Sequence, residues 1–301
     1  MKKLDESILN KVIKPRPQES FKGTFGKVLL VGGNHQFGGA IIMATAASVY
    51  SGAGLVTVAT DPINTTALHS QLPEAMIIDF NNHQELAEMV AKVNTVVIGP
   101  GLGEEEESKA VLDNVFAHTN DKQTVVIDGS AITLMARDYI ANPQGHIIFT
   151  PHQMEWQRLS GIKIADEAED VNRAARDQLN AMVVLKKHHT EIYTANDNYQ
   201  LPIGSAAQAT GGMGDTLAGM IGGFTAQFRD SITQAALAAT YAHSAIADQI
   251  AENQYVVLPH QISQALPAFM KKVSIMGHDH TIGFQLEYLG GVADFGPLTY
   301  A

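Results

Sequence analysis

The sequence predicts an α/β fold of three layers, a mostly parallel central sheet with helices on both faces. Three observations predict it. Short Val- and Ile-rich runs alternate with helical segments through the first two-thirds of the chain. Several of those runs end in glycine-rich turns. The length of 301 residues, 45% of them hydrophobic, suits one large domain with a substantial core.

The elements follow in order. The opening MKKLDESILNKVIKPRP carries charges throughout and lacks the apolar stretch of a signal peptide. Lys27–Val31 is the first strand, Ala40–Ser51 a helix and Leu55–Ala59 the second strand. Gln84–Lys92 is helical by spacing, Thr95–Ile98 a strand, Glu106–Ala117 a helix, Thr124–Ile127 a strand and Ala131–Ala136 a short helix. His146–Thr150, helix Ile164–Asn180, Met182–Leu185 and a closely following Glu191–Thr194 complete the alternation. From Asp215 onward the pattern changes to consecutive helices, Asp215–Gln227, Ser231–Ala251 and Gln261–Met270, whose Ala and Gly permit close packing on the sheet. No composition break or repeat divides residues 1–273, which are expected to form a single domain. Residues 274–301 mix Gly with aromatics without a clear period and form a tail to which no role is assigned.

Composition narrows the function. Against 31 acidic side chains stand 20 basic ones, a net charge of -11, so nucleic acid is not an expected partner. The absence of cysteine excludes disulfides, thiolate nucleophiles and Cys-ligated zinc. Apolar runs such as Val28–Val31 are too short to cross a bilayer, so no membrane partner is expected and the chain reads as cytoplasmic.

In open α/β sheets ligands gather beyond the C-terminal ends of the strands. Here those positions read GGNHQFGGA, GPGLG and PHQMEW. The first has the outer glycines of a P-loop, Gly33 and Gly38, but Gly39 and Ala40 replace the required Lys and Ser or Thr. The second lacks the third glycine of a dinucleotide fingerprint and runs into Glu104 to Glu107, which would repel a pyrophosphate. The segment ATGGMGDTLAG is more informative. Gly211, Gly212 and Gly214 precede a helix whose free amides and dipole make an anion hole. Asp215, in its first turn, is either a capping residue or a base for a substrate hydroxyl.

Taken together, VGGNHQFGGA, GAGLVTVA, GPGLG, TPHQMEWQRL, VVLKKHHT and ATGGMGDTLAG resemble the stand-alone NAD(P)H-hydrate dehydratases of the ribokinase-like superfamily, across about residues 21–270. The resemblance implies a ribokinase-like fold and a lyase. It implies that ATP or ADP, with Mg²⁺, phosphorylates the ring hydroxyl of hydrated NADH or NADPH, and that phosphate is then eliminated. By the same resemblance Asp215 is the catalytic base. Ala40, Gly103 and His152 contact the hydrated dinucleotide. Lys186, Lys187, His188, His189, Thr190 and Gly214 contact the nucleotide.

Each residue also has a plainer reading. Ala40 could be a packing residue, His152 a turn residue held by a backbone group, and Lys186 to Thr190 an exposed hairpin turn. Glu155 either helps to hold the metal or begins a helix. Relatives commonly read Lys-Gly-Ala-x-Thr in place of the segment from Lys186 to Thr190, and Asp-Ala-Asp where Asp128, Gly129 and Ser130 stand. The resemblance also implies a homo-oligomer, often a tetramer, for which the Ala-rich helices after Asp215 are the candidate interface. Fewer than thirty residues precede the first strand, so an NAD(P)H-hydrate epimerase is expected as a separate protein. A small-molecule kinase for a sugar, hydroxymethylpyrimidine or hydroxyethylthiazole uses the same parts and is the alternative.

Overall fold

A computed structural model describes residues 1–276. Strand β1 (Lys2–Lys3) and helix α1 (Ser7–Val12) come first. Then β2 (Lys27–Val31), α2 (Gly38–Tyr50), β3 (Leu55–Thr60), α3 (Thr65–Gln71) and β4 (Met76–Asp79) alternate. The alternation continues through α4 (His83–Val90), β5 (Thr95–Ile98), α5 (Glu106–His118), β6 (Thr124–Ile127), α6 (Gly129–Asp138) and β7 (His146–Phe149). Helices α7 (Gln153–Ser160) and α8 (Glu169–Leu179) lead to β8 (Met182–Leu185), β9 (Glu191–Tyr193) and β10 (Asn198–Gln200). Helices α9 (Met213–Gln227), α10 (Ile232–Ala251) and α11 (Pro259–Met276) end the described chain.

The strands form one sheet in the order β1-β10-β9-β8-β7-β6-β5-β2-β3-β4. The stretch from β8 to β4 is parallel throughout, while β9 pairs antiparallel with both β8 and β10. Each central strand is apolar on both faces, as a sheet between two helical layers requires. Val28 and Leu30 of β2 join one core with Leu9, Ile41, Ile221, Ala239 and Leu266. Leu29 and Val31 join the other, with Leu86, Leu112, Ile132 and Trp156. Helices α1, α2, α9, α10 and α11 therefore cover one face, and α4 to α7 the other. On the first face α2 and α9 lie nearly backbone to backbone, and a Cβ at Gly219 would collide with the Ala44 carbonyl. Ser48 Oγ donates to the Gly219 carbonyl at 2.7 Å across that contact. Among the described residues, no helix is long and apolar enough to cross a membrane.

The structure corrects several expectations. Helix Ile164–Asn180 is a short 3-10 turn, Ile164–Asp166, followed by α8. Strand β4 lies at the sheet edge with Met76 exposed, so it lacks the continuous apolar run that marks its neighbours. Helices α1, α3 and α7 are additional; α7 buries only Glu155 and Trp156, too few apolar residues to give a helical period. Helix α11 runs on to Met276, so residues 274–276 of the expected tail belong to it. The rest of that tail, residues 277–301, lies outside the described residues. The small residues of α9 and α10 from Ala218 to Ala226 and from Ala235 to Ala239 are buried within the chain itself. They are spent on its own core, and the exposed positions of α10, Thr233, Gln234 and Gln249, lie toward its two ends.

Candidate active site

The order of strands reverses at β2, which pairs with β3 on one side and β5 on the other. Beyond such a reversal the loops diverge and leave a crevice. The two loops that meet here are laced together: Gly33 N–H donates to the Pro100 carbonyl at 2.9 Å and Asn34 N–H to the Gly101 carbonyl at 2.7 Å. Asn34 Oδ1 accepts the amides of Gln36 and Phe37, both at 3.0 Å, which turns the chain into α2. A cavity of about 380 Å³ lies beside this junction, lined by Phe37, Ala40, Gly101, Gly103, Glu104 and Ser130 among others. Gly103, at φ +88°, donates its N–H to Ser130 Oγ at 3.2 Å. Ala40 and Gly103, expected as dinucleotide contacts, thus share one cavity.

A second cavity, of about 540 Å³, is lined by Lys186, Lys187, His188, His189, Thr190 and Gly214, and by residues of α10 including Thr240 and His243. All six residues expected on the nucleotide side fall here. The turn that carries them is made without glycine, because His189 itself takes the left-handed conformation at φ +58°. Lys187 is tied to Glu167 at 3.2 Å and Glu191 at 3.1 Å, which limits its freedom to meet a phosphate. Burial pushes the His243 imidazole down to about 4, so it is neutral at physiological pH.

Helix α9 starts beside the second cavity, which Met213 and Gly214 line. Gly212 caps it at φ +93°, and Thr216 N–H makes the first backbone bond, to the Gly212 carbonyl at 3.0 Å. Among the described residues the amides of Gly211, Gly212, Met213 and Gly214 have no acceptor, and a helix N-terminus in this state attracts an anion. Gly214 lines the second cavity, whereas Gly211 and Gly212 line neither. Asp215 lies in the first turn, three residues after the cap. Burial, then the nearby Asp128 and Glu155 charges, push its carboxyl up to about 6 against the opposing pull of Lys186.

Asp128, Thr150, Lys186 and Glu155 complete the cluster. Asp128, 2% exposed beyond β6, holds Lys186 Nζ at 2.8 Å and accepts Thr150 Oγ1 at 2.7 Å. Burial works to lower the Lys186 pKa, but Asp128 and Glu155 outweigh it and hold the ammonium above its ordinary value. His152 caps α7: its Nδ1 accepts Glu155 N–H at 3.2 Å, while Glu155 Oε2 accepts His152 N–H at 2.8 Å. The plainer readings of both residues, a turn histidine and a helix start, are therefore filled by one reciprocal cap. Among the described residues no three His, Asp or Glu side chains converge on a metal position. Asp128 is engaged by Lys186 and Glu155 by His152, so each of these carboxylates already has a protein partner.

The sequence reading missed the Asp128–Lys186 pair, the Thr150 hydroxyl and the α10 wall of the second cavity. Asp128 could have been found from its place directly after a predicted strand. Thr240 and His243 carry no local signal, since they face a cavity across the sequence.

Comparison with known proteins gives concordant results. A family model described as NAD(P)H-hydrate dehydratase matches residues 28–268. An ADP-dependent (S)-NAD(P)H-hydrate dehydratase of Lactiplantibacillus plantarum is 52% identical over 91% of this chain and 98% of that protein. One of the same name from Streptococcus thermophilus is 48% identical over 91% and 100%. Among solved structures, the ADP/ATP-dependent NAD(P)H-hydrate dehydratase of Bacillus subtilis, co-crystallised with ATP and Mg²⁺, superposes with a TM-score of 0.81 at 28% identity, over 90% of this chain and 98% of that one.

Proposed function

Because the chain belongs to the NAD(P)H-hydrate dehydratase family, we propose that it restores NADH or NADPH from the S form of the hydrated dinucleotide at the expense of ADP or ATP. The observation that carries the proposal is Asp215 at the N-terminus of α9, beside amides without acceptors and a nucleotide-sized cavity. The hydrated ring lies toward the cavity of Ala40 and Gly103, with His152 as a further contact. The nucleotide takes the cavity of Lys186 to Thr190. ADP is the preferred donor, in keeping with the Lactiplantibacillus and Streptococcus relatives.

Asp215, with a carboxyl pushed up to about 6, is ionised yet more basic than an exposed aspartate at neutral pH. It takes the proton of the ring hydroxyl as that oxygen bonds to the terminal phosphorus of the nucleotide and the bridging P–O bond breaks. The amides from Gly211 to Gly214 bear the phosphoryl oxygens, a charge best held by dipoles already in place. The ring nitrogen's lone pair then expels phosphate, and loss of a proton from the neighbouring carbon restores the double bond. Mg²⁺ arrives as part of the nucleotide substrate, neutralising its phosphates. An epimerase interconverting the hydrates supplies the S form from the R form.

Product analysis tests this reading. With hydrated NADH, Mg²⁺ and ADP, the protein releases AMP and phosphate in equal amounts, one of each per NADH formed. Accumulation of a phosphorylated dinucleotide without NADH makes the protein a kinase instead.

A further inference from the structure

Lys186 belongs, by sequence, to the stretch expected to hold the nucleotide, yet its ammonium is drawn elsewhere. Its amide is fixed to the Pro151 carbonyl at 2.8 Å, which ties the end of β8 to the end of β7. From there the side chain reaches Asp128 Oδ1 at 2.8 Å. That same oxygen accepts Thr150 Oγ1 at 2.7 Å, and the Asp128 amide donates to the Ile98 carbonyl at 3.0 Å. Asp128 is thus held from β5 and β7 while it holds Lys186. The ammonium comes to rest over the first turn of α9: a Cβ at Gly214 would stand 2.8 Å from Nζ. Gly214 therefore leaves room for a lysine as well as for a ligand.

Resting on the reading above, we propose that Lys186 binds the phosphoryl group in transit, and that Asp128 is the positioning residue that holds the ammonium in the anion hole. Among the described residues Asp128 is the one side-chain acceptor Lys186 has, so two of its three N–H donors remain for a ligand. Asp128, Glu155 and Asp215 crowd the site with acidic groups, and a phosphoryl group there needs a cation besides the partial charge of the helix. Lys186 meets all three acids and supplies it. As the ring oxygen bonds to phosphorus, Lys186 and the α9 amides take the equatorial oxygens. When the C–O bond breaks, the same donors carry the departing phosphate. The proton still goes to Asp215, and no further reactant is needed.

The test separates this role from ordinary nucleotide binding and from mere stability. Asp215 faces Asp128 at the end of β6, Lys186 at the end of β8, Glu155 on α7 and the amides of its own helix, while neutral His243 on α10 faces Lys186. Lys186→Met removes the charge that favours ionised Asp215, so the acidic limb of the kcat/KM profile moves to higher pH. Asp128→Asn removes a charge that disfavours it, so the limb moves to lower pH.

Lys186→Met is expected to lose about 100-fold or more in kcat with KM for ADP within a few-fold, and Asp128→Asn about tenfold. Lys186→Arg should recover part of the rate. The double variant Asp128→Asn with Lys186→Met removes the carboxylate that Lys186→Met alone leaves without its ammonium partner, and should be no slower than Lys186→Met. The proposal is overturned by limbs that stay in place or move together, by a KM increase at unchanged kcat, or by additive losses in the double variant. The wild type is measured in the same assay: if it makes no NADH, the dehydratase reading has failed rather than this one.

Discussion

Asp215 shows how a residue's place in a helix separates a base from a cap. A capping aspartate sits one residue before the helix and accepts an amide from within it. Asp215 instead follows the Gly212 cap by three positions, inside the helix, and the amide that favours its ionised carboxyl is its own. Asp215→Asn should reduce kcat by about 10²- to 10⁴-fold in a steady-state assay, with the fold intact. Burial raises the folded carboxyl from 3.8 to about 6, so folding favours the protonated form. The stability it contributes is complete below the unfolded value and lost as pH rises through about 6. The asparagine variant escapes that loss, and its Tm should exceed that of the wild type near pH 8, by the equivalent of about 3 kcal/mol, with the gap closing toward pH 4. An equal Tm at both pH values would count against a buried, strained carboxylate. Gly214→Ala places a methyl 2.8 Å from Lys186 Nζ and should lower kcat about tenfold while the protein still melts cooperatively. The Gly and Asp of this segment were legible in the sequence because anion sites at helix starts have a local signature. The Asp128–Lys186 pair was not, since its two members lie 58 residues apart and only the sheet brings them together.

At the scale of elements, legibility followed burial. Strands β2, β5, β6 and β8 are buried along nearly all of their length, and their apolar runs gave their positions to within a residue. Strand β10 is half-buried and α7 mostly polar, so neither has a period to detect. Helix α9 combines two demands in one sequence: its N-terminal glycines serve the anion site, and its later glycines let α2 approach. Gly219→Ala drives a methyl into the Ala44 carbonyl and should cost about 1–3 kcal/mol by overpacking, read from chemical denaturation. Because α9 carries Asp215, the same change should also lower kcat, whereas a purely local packing defect would leave the rate alone. Gly219 and Gly214 lie on one helix, so the two variants distinguish a shifted helix from a displaced lysine. In Gly219→Ala the melting point falls with the rate; in Gly214→Ala the rate falls alone.

Over the whole molecule, the two cavities are built on different parts of the sheet. The cavity of Ala40 and Gly103 opens where the strand order reverses at β2 and β5. The other lies beyond β8, where the parallel sheet turns antiparallel and α10 closes over it. Helix α9 carries Asp215 next to Gly214 of the second cavity, and under the proposed function the two ligands meet at that carboxylate. Parallel sheet and helical layers were legible from the alternation of elements alone. That β2 sits at the reversal was not, since no single strand records its neighbours. A ligand that binds only the folded chain raises its stability by mass action, about 2.7 kcal/mol at a hundredfold excess over Kd. ADP with Mg²⁺ should therefore raise the Tm, and Lys186→Met should keep most of that rise. The most direct test of the account is the near-ultraviolet absorbance of NADH, followed after wild-type protein or Asp215→Asn is mixed with hydrated NADH, Mg²⁺ and ADP. The account predicts a steady rise with the wild type that needs the nucleotide and is lost by at least about 100-fold in the variant; a flat trace with folded wild-type protein, or an equal rise with Asp215→Asn, would contradict it.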